Sequence, residues 1–269
     1  MALISLALAS QSAGDVLGMR EAVQLAEKVS SNSWDACDRL GTFYYKSQGR
    51  DQNLDKALAS FERAVELAPS SPLAHRHLGE LFLEQKKNTN ALQALQRSLQ
   101  LRRTPQIISA VGSAHLRLKQ YPEAADRFFE AIRIDASKYL YHLNAGVALS
   151  YITNRTDEAG EQFSAALRQI RDELHVNKEN ALARAYEGLC LAELGQREEA
   201  IASLNQAKNL AGLDMRVLRV VYDGFLILKD DNGRKELLKM MAKPASESSQ
   251  PSTNNPVWKG NLDENNHAE

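Results

Sequence analysis

The side chains able to do chemistry are few and scattered. His75 and His77 flank Arg76. Two imidazoles on one surface would suit a divalent metal. On a helix, however, positions i and i+2 point to different faces, so joint ligation is not expected. The two cysteines, Cys37 and Cys190, stand far apart without metal-ligand spacing. Each falls in helix-forming sequence, which predicts buried, reduced thiols. Carboxylates come as solvated runs such as Arg197-Glu198-Glu199, and paired acid–base work would need a cleft that the sequence does not mark. A phosphate-cradling loop, a GxGxxG turn, an HExxH helix and a GxSxG elbow are all missing. No catalytic residue, metal site or cofactor is expected.

The elements around these residues read as helices. Of 269 residues, 43% are hydrophobic and 25% charged, an ordinary composition for a soluble protein. Gly and Pro are sparse at 14 and 7, and good helix formers dominate. No stretch alternates apolar and polar long enough for a sheet. The expected class is all-α. With a net charge of −1 and no Lys/Arg run longer than two, a nucleic-acid footprint is absent. The apolar opening Met1–Ala9 (MALISLALA) lacks a basic start, the first basic residue being Arg20. It is too short to span a bilayer. A packed first helix and a cytoplasmic location are expected, with secretion or a periplasmic location the lesser reading.

Two interleaved ladders run through the chain. Gly41, Gly79, Gly112, Gly146 and Gly188 recur at steps of 38, 33, 34 and 42. The second ladder reads Ala57-Phe61-Ala64, Ala91-Leu95-Ser98, Ala124-Phe128-Ala131, Ala159-Phe163-Ala166 and Ala200-Leu204-Ala207. Spacing of i, i+4, i+7 is one helix face. Turn signals such as Lys119-Gln120-Tyr121-Pro122 separate the ladders, so each unit is a helical hairpin. One hairpin cannot bury its apolar face, and neighbours must stack.

These residues resemble the tetratricopeptide family. The closest unit, 72–104, carries His75, Leu78-Gly79, Phe82, Ala91, Leu95 and Ser98; the one before it has Trp34, Leu40-Gly41, Tyr44, Ala57, Phe61, Ala64 and Pro69. In that register His75 and His115 take packing positions. The resemblance implies a right-handed superhelical α-solenoid of antiparallel hairpins. Its expected organisation is a degenerate hairpin over 1–33, five units over 34–71, 72–104, 105–138, 139–180 and 181–212, a capping hairpin over 213–242 and a disordered tail over 243–269. Lys46 to Asp55 is expected to be a lengthened loop, a Sel1-like trait confined to the first full unit. Leu167 to Asn180 lacks Pro and Gly, so the fourth unit's second helix should run on by up to two turns. Trp258 is the tail's one large aromatic residue, either a docking motif or incidental.

The resemblance also implies that first helices line a concave groove. In that register its polar end holds Asp38, Arg39, Arg76, His77 and Glu80. Its apolar end holds Leu140, Leu143, Asn144, Val147, Tyr151, Leu182, Tyr186 and Leu189. The family's chaperone-tail clamp needs Lys and Arg where Leu182 and Tyr186 stand. Its asparagine ladder reads here as Arg39, His77, Ala110, Asn144, Tyr186. Neither device is expected. A non-catalytic scaffold or adaptor, holding an extended or helical protein segment in this groove, is the function implied. An assembly or export factor for a membrane-bound complex and a regulatory subunit of a separate enzyme remain alternatives. On this reading, charge substitutions at Leu143 and Leu189 abolish capture and spare helicity.

Overall fold

The computed structural model describes residues 16–30, 32–46, 50–212 and 214–241. The apolar opening, the tail with Trp258 and the middle of the lengthened loop lie outside the described residues. Among the described residues there are thirteen helices and no strand. They are α1 (Val16–Ser30), α2 (Trp34–Lys46), α3 (Arg50–Leu67), α4 (Pro72–Glu84), α5 (Asn88–Leu101), α6 (Pro105–Arg117), α7 (Tyr121–Ile134), α8 (Tyr139–Ser150), α9 (Thr156–Val176), α10 (Ala181–Glu193), α11 (Arg197–Ala211), α12 (Met215–Ile227) and α13 (Asp231–Met241). None is long and apolar enough to cross a membrane. The fold is all-α, an α-solenoid of stacked helix pairs. One expectation needs correction. α3 begins at Arg50, so the second half of the Lys46–Asp55 stretch is helix.

Local sequence sets the boundaries. Ser71 caps α4: its hydroxyl accepts the Ala74 N–H at 3.3 Å, with Pro72 opening the helix. Asn180 caps α10 in the same way, accepting from Ala183 at 3.1 Å. Four hairpin turns close with a left-handed residue: Lys86, Lys119, Gly195 and Lys229. The residue after each bonds back five positions, as Lys87 N–H does to the Phe82 carbonyl at 2.9 Å. This is the closing motif of a helix C-terminus, and its left-handed position favours Gly.

The chain divides into two compact units between Ala114 and His115. In the first, α2 pairs with α3 and α4 with α5. Leu40, Phe43, Tyr44, Ala57, Phe61, Leu78 and Leu81 form its main core with Ala22, Val23 and Ala26 of α1. The Tyr44 hydroxyl donates to Glu27, which ties α1 down. In the second unit, α8 pairs with α9 and α10 with α11. One core there runs from Leu116 to Leu237.

The two ladders interlock. A methyl group added at Gly41 would meet the Phe61 ring at 2.7 Å, and one at Gly79 would meet Leu95 at 2.6 Å. The same relation joins Gly146 to Phe163 at 2.8 Å and Gly188 to Leu204 at 2.7 Å. Each glycine of a first helix is the floor on which the large residue of the second helix sits. That close approach is why the position carries no side chain.

Helix α9 breaks the regularity. It has 21 residues where α5 and α7 have 14. Seven extra residues are about two turns, so the helix keeps its faces but carries the chain onward. Two contacts show where the next hairpin lands. The rings of Tyr139 and Tyr186 lie 5.8 Å apart, although Tyr139 precedes its ladder glycine by seven residues and Tyr186 by two. Arg171, on the extension, reaches Glu187 at 3.4 Å. The α10–α11 hairpin is therefore slipped along the axis relative to α8–α9, toward the start of α8. In the first unit the corresponding pair, Asp38 and His77, is one position out of step.

Candidate partner-binding face

The first-helix face was assigned by register, and the structure places its residues unequally. In the first unit, His77 Nδ1 lies 2.7 Å from Asp38 Oδ1, and Arg76 Nη2 lies 3.0 Å from His77 Nε2. Arginine can only donate, so Nε2 accepts and Nδ1 donates to the carboxylate. Arg76 also donates to Glu80 at 2.6 Å, and the His77 ring tilts against Phe61 at 5.6 Å. Arg76 and His77 are half-buried and engaged by Asp38, Glu80 and each other. Arg39 pairs with Asp35 at 3.0 Å. Arg76, His77, Asp38 and Glu80 thus satisfy one another within the first unit, while Arg39 and Asp35 form an exposed pair.

In the second unit the apolar face is largely closed. Leu143, Val147, Tyr186 and Leu189 have no exposed surface, and Asn144 is buried beside them. This corrects the expectation that all five offer themselves to a ligand. Two physical reasons account for it. Helix α8 is apolar almost right round, with eight of its 12 residues buried, as befits a helix packed on every side. The slip also carries Tyr186 over the start of α8, where its ring meets Tyr139 rather than open space. Burial pushes the Tyr186 phenol well above its ordinary range, with Tyr139 adding to it. The Tyr186 hydroxyl and the Asn144 carbonyl oxygen have no hydrogen-bond partner among the described residues. Substituting charge at Leu143 or Leu189 would therefore break the core before it tested a ligand.

Leu140, Tyr151 and Leu182 are half-buried, packed against this core with part of each residue in solvent. Leu140 and Leu182 hold the same repeat position, six before Gly146 and Gly188. The slip offsets them along the axis. The face there is stepped rather than smooth. Tyr151, at the other end of α8, stacks on Tyr121 with centroids 4.6 Å apart and planes at 9°.

Sequence reasoning missed Glu187. Its carboxylate is buried and takes Arg184 at 2.8 Å, Arg171 at 3.4 Å and the Ser203 hydroxyl at 3.1 Å. It lies one residue before a ladder glycine, among solvated glutamates, and nothing in the spacing marks it out. The remaining reactive groups are quiet. Burial raises both thiols, Cys190 the more strongly. His75 bonds the Pro69 carbonyl at 2.9 Å and His115 the Gln120 side chain at 2.7 Å. Among the described residues no three His, Cys, Asp or Glu side chains gather as a metal site would require.

Stacked hairpins locked by glycine-on-aromatic or glycine-on-leucine contacts define a class of helical-repeat scaffolds. The chain carries tetratricopeptide repeats, matching that family over residues 46–106 and 155–213. Members of this family are generally non-catalytic scaffolds for protein–protein interaction. The crystal structure of the MamA protein is similar at 20% identity, over 65% of this chain and 94% of MamA, with a TM-score of 0.53. MamA from Desulfovibrio magneticus RS-1, from residue 41 to its end, gives 16% identity over 64% and 95%, also at 0.53. At these identities the likeness is one of fold. A search of curated proteins by sequence gave no significant match.

Proposed function

We propose that the chain is a non-catalytic scaffold that holds a protein segment on the first-helix face of its second unit. The observation that carries this reading is the step between α8 and α10. There Leu140 and Leu182 keep part of their surface in solvent on neighbouring first helices of an interaction-type repeat. Aliphatic anchors on neighbouring helices suit an extended or helical segment, whose side chains would enter in turn. The polar face of the first unit is self-paired, so the apolar step supplies most of the contact energy in this reading.

The test is a double substitution, Leu140→Asp with Leu182→Asp. Both residues keep part of their surface in solvent, and circular dichroism checks that the helices survive. Retained partner would fall by at least about tenfold for a loss near 1.4 kcal/mol. Full retention by a folded variant would remove the step from the account.

A further inference from the structure

Helix α1 is held on the first unit differently from the helices that follow. The five ladder helices after it each carry a large residue four places past the ladder alanine: Phe61, Leu95, Phe128, Phe163 and Leu204. Such a residue can also lock the next hairpin, since a methyl group at Gly224 would meet Leu204 at 2.7 Å. In α1 the corresponding pair is Ala22 and Ala26. With Val23 they are the buried side chains of α1 among the described residues, and Leu25 is 49% exposed. Two methyl groups and one isopropyl group remove little apolar surface from water. A helix of 15 residues is marginal by itself, so the seat must supply most of what keeps α1 helical. The polar tie matters correspondingly more. Glu27 accepts the Tyr44 hydroxyl of α2 and takes Lys56 of α3 at 3.2 Å, with the Lys56 ammonium 5.0 Å over the Tyr44 ring. Tyr44 is buried, whereas the Lys56 and Glu27 side chains are 58% and 39% exposed. Helix α2 has a start of its own: the Ser33 hydroxyl accepts the Ala36 N–H at 3.5 Å. Residues 31–33 are the whole link between α1 and α2.

We propose that α1 is a strap that undocks as one piece while α2 to α5 stay folded, with Glu27 as its latch. Segments with few buried apolar contacts are the ones that open locally. Release bares the Tyr44 ring beside Lys56, so the first unit gains a face that its closed form conceals. The latch joins two part-exposed charges around a buried hydroxyl, and salt weakens such a pair. Opening of the strap therefore responds to ionic strength.

The experiment is hydrogen–deuterium exchange of the full chain, read by mass spectrometry over overlapping peptides within 16–30, 50–67 and 88–101. The strap predicts one shared protection for the α1 amides from Arg20 to Ser30, at least about tenfold below that of α3 and α5. Fraying would give a gradient instead, low near Arg20 and high near Ser30, and would overturn the proposal. Glu27→Ala should lower the protection of α1 at least about fivefold further and leave α3 and α5 unchanged. Glu21→Ala, an exposed control on the same helix, should change nothing. Raising salt from about 20 mM to about 500 mM should speed α1 exchange in the unsubstituted chain and not in Glu27→Ala. If Glu27→Ala loosens α3 and α5 together with α1, then α1 is an integral part of the core and the strap is refuted. Indifference of α1 to Glu27 and to salt would refute the latch.

Discussion

Gly79 and Gly160 are both helical glycines, and a methyl group should affect them in opposite ways. At Gly79 it would lie 2.6 Å from the Leu95 side chain, with the Ala91 carbonyl at 3.2 Å behind. Overpacking of this kind costs about 1–3 kcal/mol. At Gly160 nothing stands within 4 Å, and relieving a helix of glycine gains about 0.5–1 kcal/mol. Urea midpoints of Gly79→Ala and Gly160→Ala should therefore move in opposite directions; equal shifts would refute the interlock. The glycine ladder was legible in the sequence because it repeats. Burial at Tyr186 and Leu189 was not, since it depends on which helix passes over them. A clue did exist for Leu143 and Val147: the run YLYHLNAGVALS has too few polar residues for a helix with a wet face.

The longest helix shows what an insertion of whole turns does. Two extra turns leave the inward residues of α9 facing inward: Phe163, Ala166, Leu167, Ile170 and Leu174 are all buried. What changes is the height at which α10 begins. Glu187 fixes the new register through Arg171 on the extension, Arg184 on its own helix and Ser203 on α11. Glu187→Ala strips three donors of a shared acceptor, one of them the half-buried Arg184. The expected loss is about 1–3 kcal/mol. Arg171→Ala removes a partner that is 49% exposed, and should cost under about 1 kcal/mol. Chemical denaturation of the two variants checks the order. The length of α9 was readable from its lack of breakers, whereas the slip was not, because no local pattern encodes the height of a neighbouring hairpin. The same limit applied to α3, whose first turn occupies a stretch that looked like loop from Gly49 and the polar residues around it.

At the scale of the whole molecule, a repeat protein holds together through nearest-neighbour contacts, and each unit here has its own core. That organisation leaves partner recognition to side chains the stacking does not consume. Arg76 and His77 are consumed by Asp38 and Glu80, and Leu143, Val147, Tyr186 and Leu189 by packing. Leu140 and Leu182 keep part of their surface in solvent. The central claim is that a protein segment binds at the step between α8 and α10. The most direct measurement replaces Leu182 with a photo-reactive benzoylphenylalanine and irradiates the full chain in native extract. A parallel sample carries the same group at Glu62, exposed on α3. The account predicts a discrete protein adduct from position 182 that is missing from position 62. No adduct at 182, or the same adducts from both positions, would contradict it.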